Sequence, residues 1–277
     1  MSKSGTEETG VFKDWQCVAF NQVPNSKNEI HGDKVAKDFG FKGGLVPGVT
    51  VSAYLIHPAA VAYGKRYLEK GFAHVRVNSP LYDEERFRVE ITSQDGSSYS
   101  AHLMQSDGKP TATADVQIPD DVPEAPKRRG DPIAERDFEP PQATPENMRQ
   151  LMEQGCKAFV FRWNAEHEMG TYLRDKSEMA PSFAEEGFAN PSFVLGISNW
   201  VLSSNARMNP WVHMETRSQN FAAIPANAKV VGEMSVTDLF SRKGHEFVDA
   251  TINLFDFDAD TCFASIDLRA IYRLRGM

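Results

Sequence analysis

The sequence predicts an α+β protein that uses one plan twice: a long apolar helix set against antiparallel strands. Three observations predict it. Each half contains one helix-length apolar run, at about Pro47 to Lys70 and Pro191 to Ala206, followed by segments of alternating apolar and polar residues. Asp95-Gly96 and Asp107-Gly108 are hairpin signals between those segments, and Lys243-Gly244 takes the place of the first in the second half. Between the halves, residues 119 to 147 are rich in proline and charge and poor in aliphatic side chains, a composition that reads as a linker. The expected organisation is a first unit over 1–118, a linker over 119–147 and a second unit over 148–277.

The elements follow in order. Val11 to Phe20 reads as an apolar strand, and Lys34 to Asp38 as a short helix that Asp33 can cap. The long helix comes next, with Pro47 suited to its first turn. Strands follow at Ala73 to Val77, Arg86 to Ser93, Ser98 to Gln105 and Thr111 to Ile118. The second half repeats this order. A strand at Lys157 to Trp163 precedes the helix, and strands at Val212 to Phe221, Lys229 to Phe240, Glu246 to Phe255 and Cys262 to Tyr272 follow it. The halves also match locally. G-F-K-G-G-L-V-P-G-V-T-V-S-A-Y faces G-F-A-N-P-S-F-V-L-G-I-S-N-W, and His74-Val-Arg-Val faces His213-Met-Glu-Thr, which reads as an internal duplication.

Composition excludes several functions. The net charge is −8, whereas a duplex-binding face must be densely basic, so nucleic acid is not an expected partner. The start, M-S-K-S-G-T-E-E-T-G, lacks the apolar core of a secretory signal. The longest apolar run, Leu45 to Tyr63, is interrupted by Pro47, Gly48, His57 and Pro58 and reads as a buried helix, so no membrane association is expected. Cys17, Cys156 and Cys262 are too few for a disulfide framework and lack metal-ligand spacing. They read as inert core thiols of a cytoplasmic protein. The F-D-F-D-A-D run at 255–260 lacks the glycine and glutamate of a calcium loop.

Residues 28 to 54 carry the chemistry. His31 stands in N-E-I-H-G-D, 17 residues before Gly48 at the start of the long helix. A helix N-terminus offers unpaired N–H groups to a polarised carbonyl, and a histidine facing it is equipped for acid/base work. The candidate set is His31, Asn28 and Asp33 for catalysis, with Gly48, Val49 and Tyr54 for the oxyanion and substrate. A buried donor pair at Gly48 and Val49 would contribute roughly 3 kcal/mol to the barrier. Competing readings are a solvated loop histidine for His31, a cap for Asp33, loop ordering for Asn28 and core for Tyr54. His74, His102, His213 and His245 lie on strands without clustering and read as structural or solvent-facing. The groups Lys65-Arg66, Lys127-Arg128-Arg129 and Arg242-Lys243 are candidate phosphate contacts, and each alone reads as solvated surface.

The layout resembles a double hot-dog protein, in which curved antiparallel sheets each wrap a central helix, two in tandem in one chain. N-E-I-H-G-D followed by G-F-K-G-G-L-V-P-G is similar to the MaoC-like dehydratases and (R)-specific enoyl-CoA hydratases, whose motif runs D-x-N-P-(I/L/V)-H-x-D and is followed by H-G-M at the central helix. Arg76-Val-Asn-Ser-Pro-Leu-Tyr-Asp-Glu-Glu is similar to a third motif, with Pro80 in place. The resemblance implies a hydratase or dehydratase of an acyl thioester, an enoyl-CoA or 3-hydroxyacyl-CoA. His31 would be the general acid/base, with no metal or redox cofactor. Ser26 stands where the motif has its first Asp, Glu29 where it has Pro, and Pro47 where it has the His of H-G-M. Half of the family's Asp–His pair is therefore missing, with Glu29 and Asp33 the carboxylates nearest in sequence. In the second half His167 lies about a dozen residues too early to match, so that half is expected to be non-catalytic.

Two other functions compete. Hot-dog thioesterases commonly place a carboxylate on the central helix, and neither Leu45 to Leu68 nor Pro191 to Arg207 contains Asp or Glu. A binding protein that kept the fold and lost the chemistry would explain Ser26. The expected assembly is a homodimer, with a monomer feasible because the two halves can pair their own sheet edges.

Overall fold

The computed structural model describes residues 11–277. The stretch Met1 to Gly10, read from sequence as lacking the apolar core of a secretory signal, lies outside the described residues. The first half contains β1 (Trp15–Val18), α1 (Asp33–Asp38), α2 (Gly48–Tyr63), α3 (Lys65–Lys70), β2 (Phe72–Val77), β3 (Arg86–Asp95), β4 (Ser98–Gln105) and β5 (Pro110–Gln117). The second contains α4 (Pro145–Gln154), β6 (Phe159–Arg162), α5 (Pro181–Ala184), α6 (Pro191–Asn205), β7 (Val212–Asn220), β8 (Lys229–Arg242), β9 (His245–Asp256) and β10 (Cys262–Arg273).

Three predicted elements are clearly shorter than expected, among them the strand at Lys157 to Trp163, which pairs only over Phe159–Arg162. The ladder of the first strand covers only Trp15 to Val18, because the preceding residues are held by side chains. Phe12 N donates to Gln94 Oε1 at 3.0 Å, and Asp14 Oδ1 accepts from Ile91 N at 2.9 Å. The long helix is broken at Gly64, whose φ of +49° leaves helical space and lets α3 start in a new direction.

α2 has no polar face: every residue from Val49 to Ala60 is buried. Such a helix needs a surrounding wall, which the curved sheet provides. Its polar side chains are satisfied internally. Thr50 donates to Gln22 Oε1 at 2.9 Å, Ser52 to the Gly48 carbonyl at 3.0 Å, and His57 Nδ1 meets the Tyr172 hydroxyl at 2.8 Å. Pro58 removes one helical donor. Nearby, the Tyr99 hydroxyl on β4 donates to the Leu55 carbonyl at 2.6 Å.

The two sheets expected from the sequence are one. The ten strands run in the order β1-β3-β4-β5-β2-β7-β10-β9-β8-β6, each pair antiparallel. The join is the β2–β7 ladder, from Phe72↔Gln219 to Arg76↔Glu215. On it, His74 Nε2 lies 2.5 Å from Glu215 Oε1. Inside, α2 and α6 meet where Thr50 Oγ1 and Ser192 Oγ are 3.0 Å apart. A single apolar cluster spans both halves, so neither half buries its helix alone. The free edges, β1 and β6, have four residues each, a length that limits edge-to-edge pairing.

The stretch 119–147 leaves the first half at Asp120, which meets Arg66 and Lys70, and then lies against the second half. Glu233, 1% exposed on β8, accepts from three consecutive backbone groups: Arg129 N at 2.8 Å, Gly130 N at 2.7 Å and Asp131 N at 2.9 Å. Ile133 then bridges to Ala158, and Thr144 Oγ1 caps α4 by accepting from Asn147 N at 3.2 Å. Removing the Glu233 carboxylate leaves three donors without their acceptor. Glu233→Ala is expected to lower unfolding free energy by about 2–3 kcal/mol, measured by urea titration, with Glu233→Gln losing less.

Candidate functional site

The loop between β1 and α2 builds the site around one imidazole. His31 closes a single 3-10 turn, Glu29–His31. Its Nδ1 lies 2.7 Å from the Leu45 carbonyl. A carbonyl only accepts, so Nδ1 carries the proton and Nε2 presents a lone pair. Nε2 lies 3.5 Å from Asn28 Nδ2. Burial lowers the His31 pKa below 6.5, partly offset by the Leu45 bond, which favours the protonated ring. His31 is thus a neutral base with a fixed tautomer.

Neighbouring residues hold that geometry. Leu45 is pinned by its N–H to the Ile30 carbonyl at 3.1 Å, and Val46 N donates to the Leu81 carbonyl at 2.9 Å. Gly44 is required here: a Cβ would lie 2.1 Å from the His31 carbonyl oxygen. Asp33 Oδ1 accepts from Gly44 N at 2.9 Å, and Oδ2 pairs with Lys37 at 3.3 Å. Asp33 therefore does not cap α1, whose N-cap is Gly32. Its side chain is 74% exposed, away from the cavity that His31 lines. Glu29 is paired with Asn209, whose Nδ2 donates to Glu29 Oε2 at 2.6 Å. Neither nearby carboxylate takes the place of the missing motif Asp, because both are held by other partners.

Asn28 orders more than its own loop. Its Oδ1 accepts from Trp211 N at 3.1 Å and its Nδ2 donates to the Trp211 carbonyl at 3.0 Å. The amide thus ties the His31 loop to the residue just before β7. Gly48 opens α2 as the sequence predicts, and the N–H groups of Gly48 and Val49 have no partner among the described residues. A Cβ on Gly48 would lie 2.7 Å from His213 Cδ2, so only glycine fits. Tyr54 is elsewhere. It is fully buried against Trp15, Phe87 and Tyr172, and its hydroxyl accepts from Phe20 N at 2.8 Å. It belongs to the core and does not line the cavity.

His31 stands between two spaces. On one side is a mainly apolar cavity of about 240 Å³, walled by residues of both halves such as Phe41, Leu45, Leu81, Met214 and Ile271. On the other is a cleft of about 930 Å³, lined by Lys27, Arg207, Glu168, Trp200 and, from the linker, Phe138 and Pro140. Asn28, His31, Asn199 and Trp211 line both. The cations facing the cleft are thus Lys27 and Arg207. Of the basic residues named from the sequence, Lys65 pairs with Glu69, Arg66 with Asp120, Arg128 with Asp260 and Arg129 with Asp131, and none lines the cleft; Arg207, which does, lies 3.7 Å from Glu139.

Sequence reasoning missed the contribution of the second half. His213 is buried on β7 against Gly48 and lines the same cavity as His31, although its strand position reads as structural. Asn199, Trp211 and Thr216 were not singled out. The signal available was Asn199 itself, an amide within the apolar helix run V-L-G-I-S-N-W.

The corresponding end of α6 is filled. Asn190 Oδ1 accepts from Phe193 N at 3.1 Å, and its Nδ2 donates to the Met169 and Gly170 carbonyls at 3.0 Å each. The cavity beside Pro191 is about 20 Å³, room for one water. No group of three His, Cys, Asp or Glu suited to a metal occurs among the described residues. Burial pushes Cys17 and Cys156 up to about 11 and Cys262 to about 12, so these thiols stay protonated. Among the described residues no helix is long and apolar enough to cross a membrane.

Two buried histidines make stability depend on pH. Desolvation lowers His213 to about 3 and His57 to about 4, from 6.5. Below pH 6.5 the unfolded chain takes up protons that the folded protein does not. This stability is therefore complete above 6.5 and declines as pH falls towards the folded values. The expected loss is about 1.4 kcal/mol per pH unit for each histidine. Unfolding free energies measured against pH should show a slope shallower by that amount in His57→Gln.

No family model and no curated protein matches the sequence. Solved structures match over nearly the whole chain. A conserved hypothetical protein of Mycobacterium tuberculosis, described as having a double hot-dog fold, is 9% identical, covers 95% of this chain and 96% of its own, and has a TM-score of 0.58. A protein of Chloroflexus aurantiacus described as a MaoC-domain dehydratase is 10% identical, with 99% and 100% covered and a TM-score of 0.55. A MaoC-like dehydratase is 12% identical, with 96% and 99% covered and a TM-score of 0.52. At these identities the likeness is one of architecture, and with the fused ten-stranded sheet and two wrapped helices it makes this chain a double hot-dog protein.

Proposed function

We propose that the protein is a hydratase or dehydratase of an acyl thioester, an enoyl-CoA or 3-hydroxyacyl-CoA, with His31 as its general acid/base. The observation that carries this reading is the unprotonated Nε2 of His31, set between an apolar cavity and a larger cleft of mixed polar and apolar lining. The cavity suits an acyl group. The cleft, with Lys27 and Arg207 on its walls, suits a carrier bearing phosphates. The first turn of α2 supplies the free N–H groups of Gly48 and Val49 to the thioester oxygen.

In the hydration direction, His31 Nε2 takes a proton from water as the oxygen bonds to the β-carbon. The carbon–carbon double bond opens, and its electrons move onto the carbonyl oxygen as an enolate held by the helix N–H groups. The protonated ring then returns the proton to the α-carbon, the carbonyl re-forms and no co-reactant is consumed. One residue performs both transfers, which removes the need for an acid at the position of Ser26. The filled end of α6 supports a single site in the first half, with the second half serving as wall.

The test is hydration of trans-2-enoyl-CoA esters of graded length, followed by loss of enoyl absorbance. His31→Ala is expected to lower kcat/KM by at least about 100-fold. Undiminished turnover in that variant would sink the assignment. Because burial lowers the His31 pKa, kcat/KM should be level above pH 6.5 and fall only below it. A rate that rises steadily through pH 7 to 8 would point to another base. Thiol release in the same assay would identify hydrolysis, for which Glu168 is the carboxylate lining the cleft.

A further inference from the structure

A polar chain in the second half ends at the same cavity and takes no part in the proton transfers just described. It begins at Thr216 on β7, whose hydroxyl lies 2.5 Å from His213 Nε2. His213 Nδ1 lies 3.0 Å from Oδ1 of Asn199 on α6. An amide oxygen only accepts, so Nδ1 carries the ring proton and Nε2 accepts from Thr216. Both ring nitrogens are then occupied, and the Asn199 oxygen is taken. What remains is the Asn199 amide NH2, which has no partner among the described residues.

The position of that amide is defined by its neighbours. Asn199 is half-buried and lines both the apolar cavity and the cleft. The His213 ring that orients it also packs on Gly48, where a Cβ would lie 2.7 Å from Cδ2. One imidazole therefore touches the first residue of α2 and fixes the amide beside it. Burying threonine, histidine and asparagine in sequence costs desolvation at each step, and apolar residues would fill the same space without it. Burial also keeps His213 neutral near pH 7, with its pKa lowered to about 3, so this orientation does not reverse with pH.

We propose that Asn199 is a further donor to the carbonyl oxygen of the thioester, acting with Gly48 and Val49, and that His213 and Thr216 are positioning residues that turn its NH2 towards the cavity. The proposal rests on the acyl-thioester reading above. A neutral donor of this kind strengthens its hydrogen bond as the oxygen gains charge, so it favours the enolate over the bound substrate. It also gives the second half a share in the chemistry of the first.

The experiment compares two probes that differ only at the carbonyl: butyryl-CoA and its thioether S-butyl-CoA, together with the octanoyl and octyl pair. Wild type is expected to bind each thioester more tightly than its thioether in calorimetry. Asn199→Ala is expected to cut that preference about tenfold while leaving thioether binding unchanged, and to lower the unfolding midpoint because His213 Nδ1–H loses its acceptor. Thr216→Val, which keeps the shape and removes the hydroxyl, is expected to lose part of the same preference. If Asn199→Ala keeps the wild-type preference, or weakens both probes equally, Asn199 is not a carbonyl donor. If wild type binds both probes equally, the donor roles of Asn199, Gly48 and Val49 all fall, and only the binding of an alkyl chain on CoA stands. If wild type binds none of the four compounds, the reading and this inference fall together.

Discussion

The β2–β7 ladder is the constraint on which the rest of the structure depends. It fuses two short sheets into one of ten strands and places β7 directly under the first turn of α2. Without it, His213 would not touch Gly48, and the His31 cavity would lose the wall that Met214 and Ile271 provide. Each half also carries a largely buried helix that its own few strands cannot cover. Hydrophobic burial and strand pairing thus favour the same arrangement. The two polar contacts from Asn28 to Trp211 then fix it locally, at the lip of the cavity.

The site's electrostatics follow from this burial. His31 is held by a backbone carbonyl that can only accept, so its tautomer needs no acidic partner. His213 is enclosed more completely and is hydrogen-bonded at both nitrogens, which keeps it uncharged. Two histidines line one cavity with different roles. One has a nitrogen whose sole contact is a long one, 3.5 Å from the Asn28 amide, and the other is bonded at both nitrogens at 3.0 Å or less. The difference lies in their surroundings, since the side chains are chemically identical.

The internal repeat did not produce two equal sites. At α2 the N-cap is Pro47, whose side chain makes no cap hydrogen bond, and Gly48 follows it with no side chain. At α6 the corresponding residue is Asn190, whose amide caps the helix and gathers two carbonyls from the preceding loop. A helix end that binds its own loop has no room for a ligand. The difference between a proline and a capping asparagine at the N-cap is a local one, yet it accompanies an open cavity at one helix and space for a single water at the other.

The sequence by itself determined the repeat, the two buried helices, nearly every strand and the placing of His31 near the start of the first helix. Those features depend on periodicity, turn chemistry and a short loop, all of which are local. Tertiary structure alone decided the rest. The break at Gly64 needs a positive φ that composition does not reveal. Asp33 turned from cap to brace because Gly44 N came within 2.9 Å, and Tyr54 entered the core because its face of α2 points at Trp15 and Phe87. Asn199 and His213 joined His31 because strand pairing brought together residues roughly 170 to 180 positions apart in sequence. Such distances leave no periodic trace, since a ladder aligns backbones and records nothing in the residues between them.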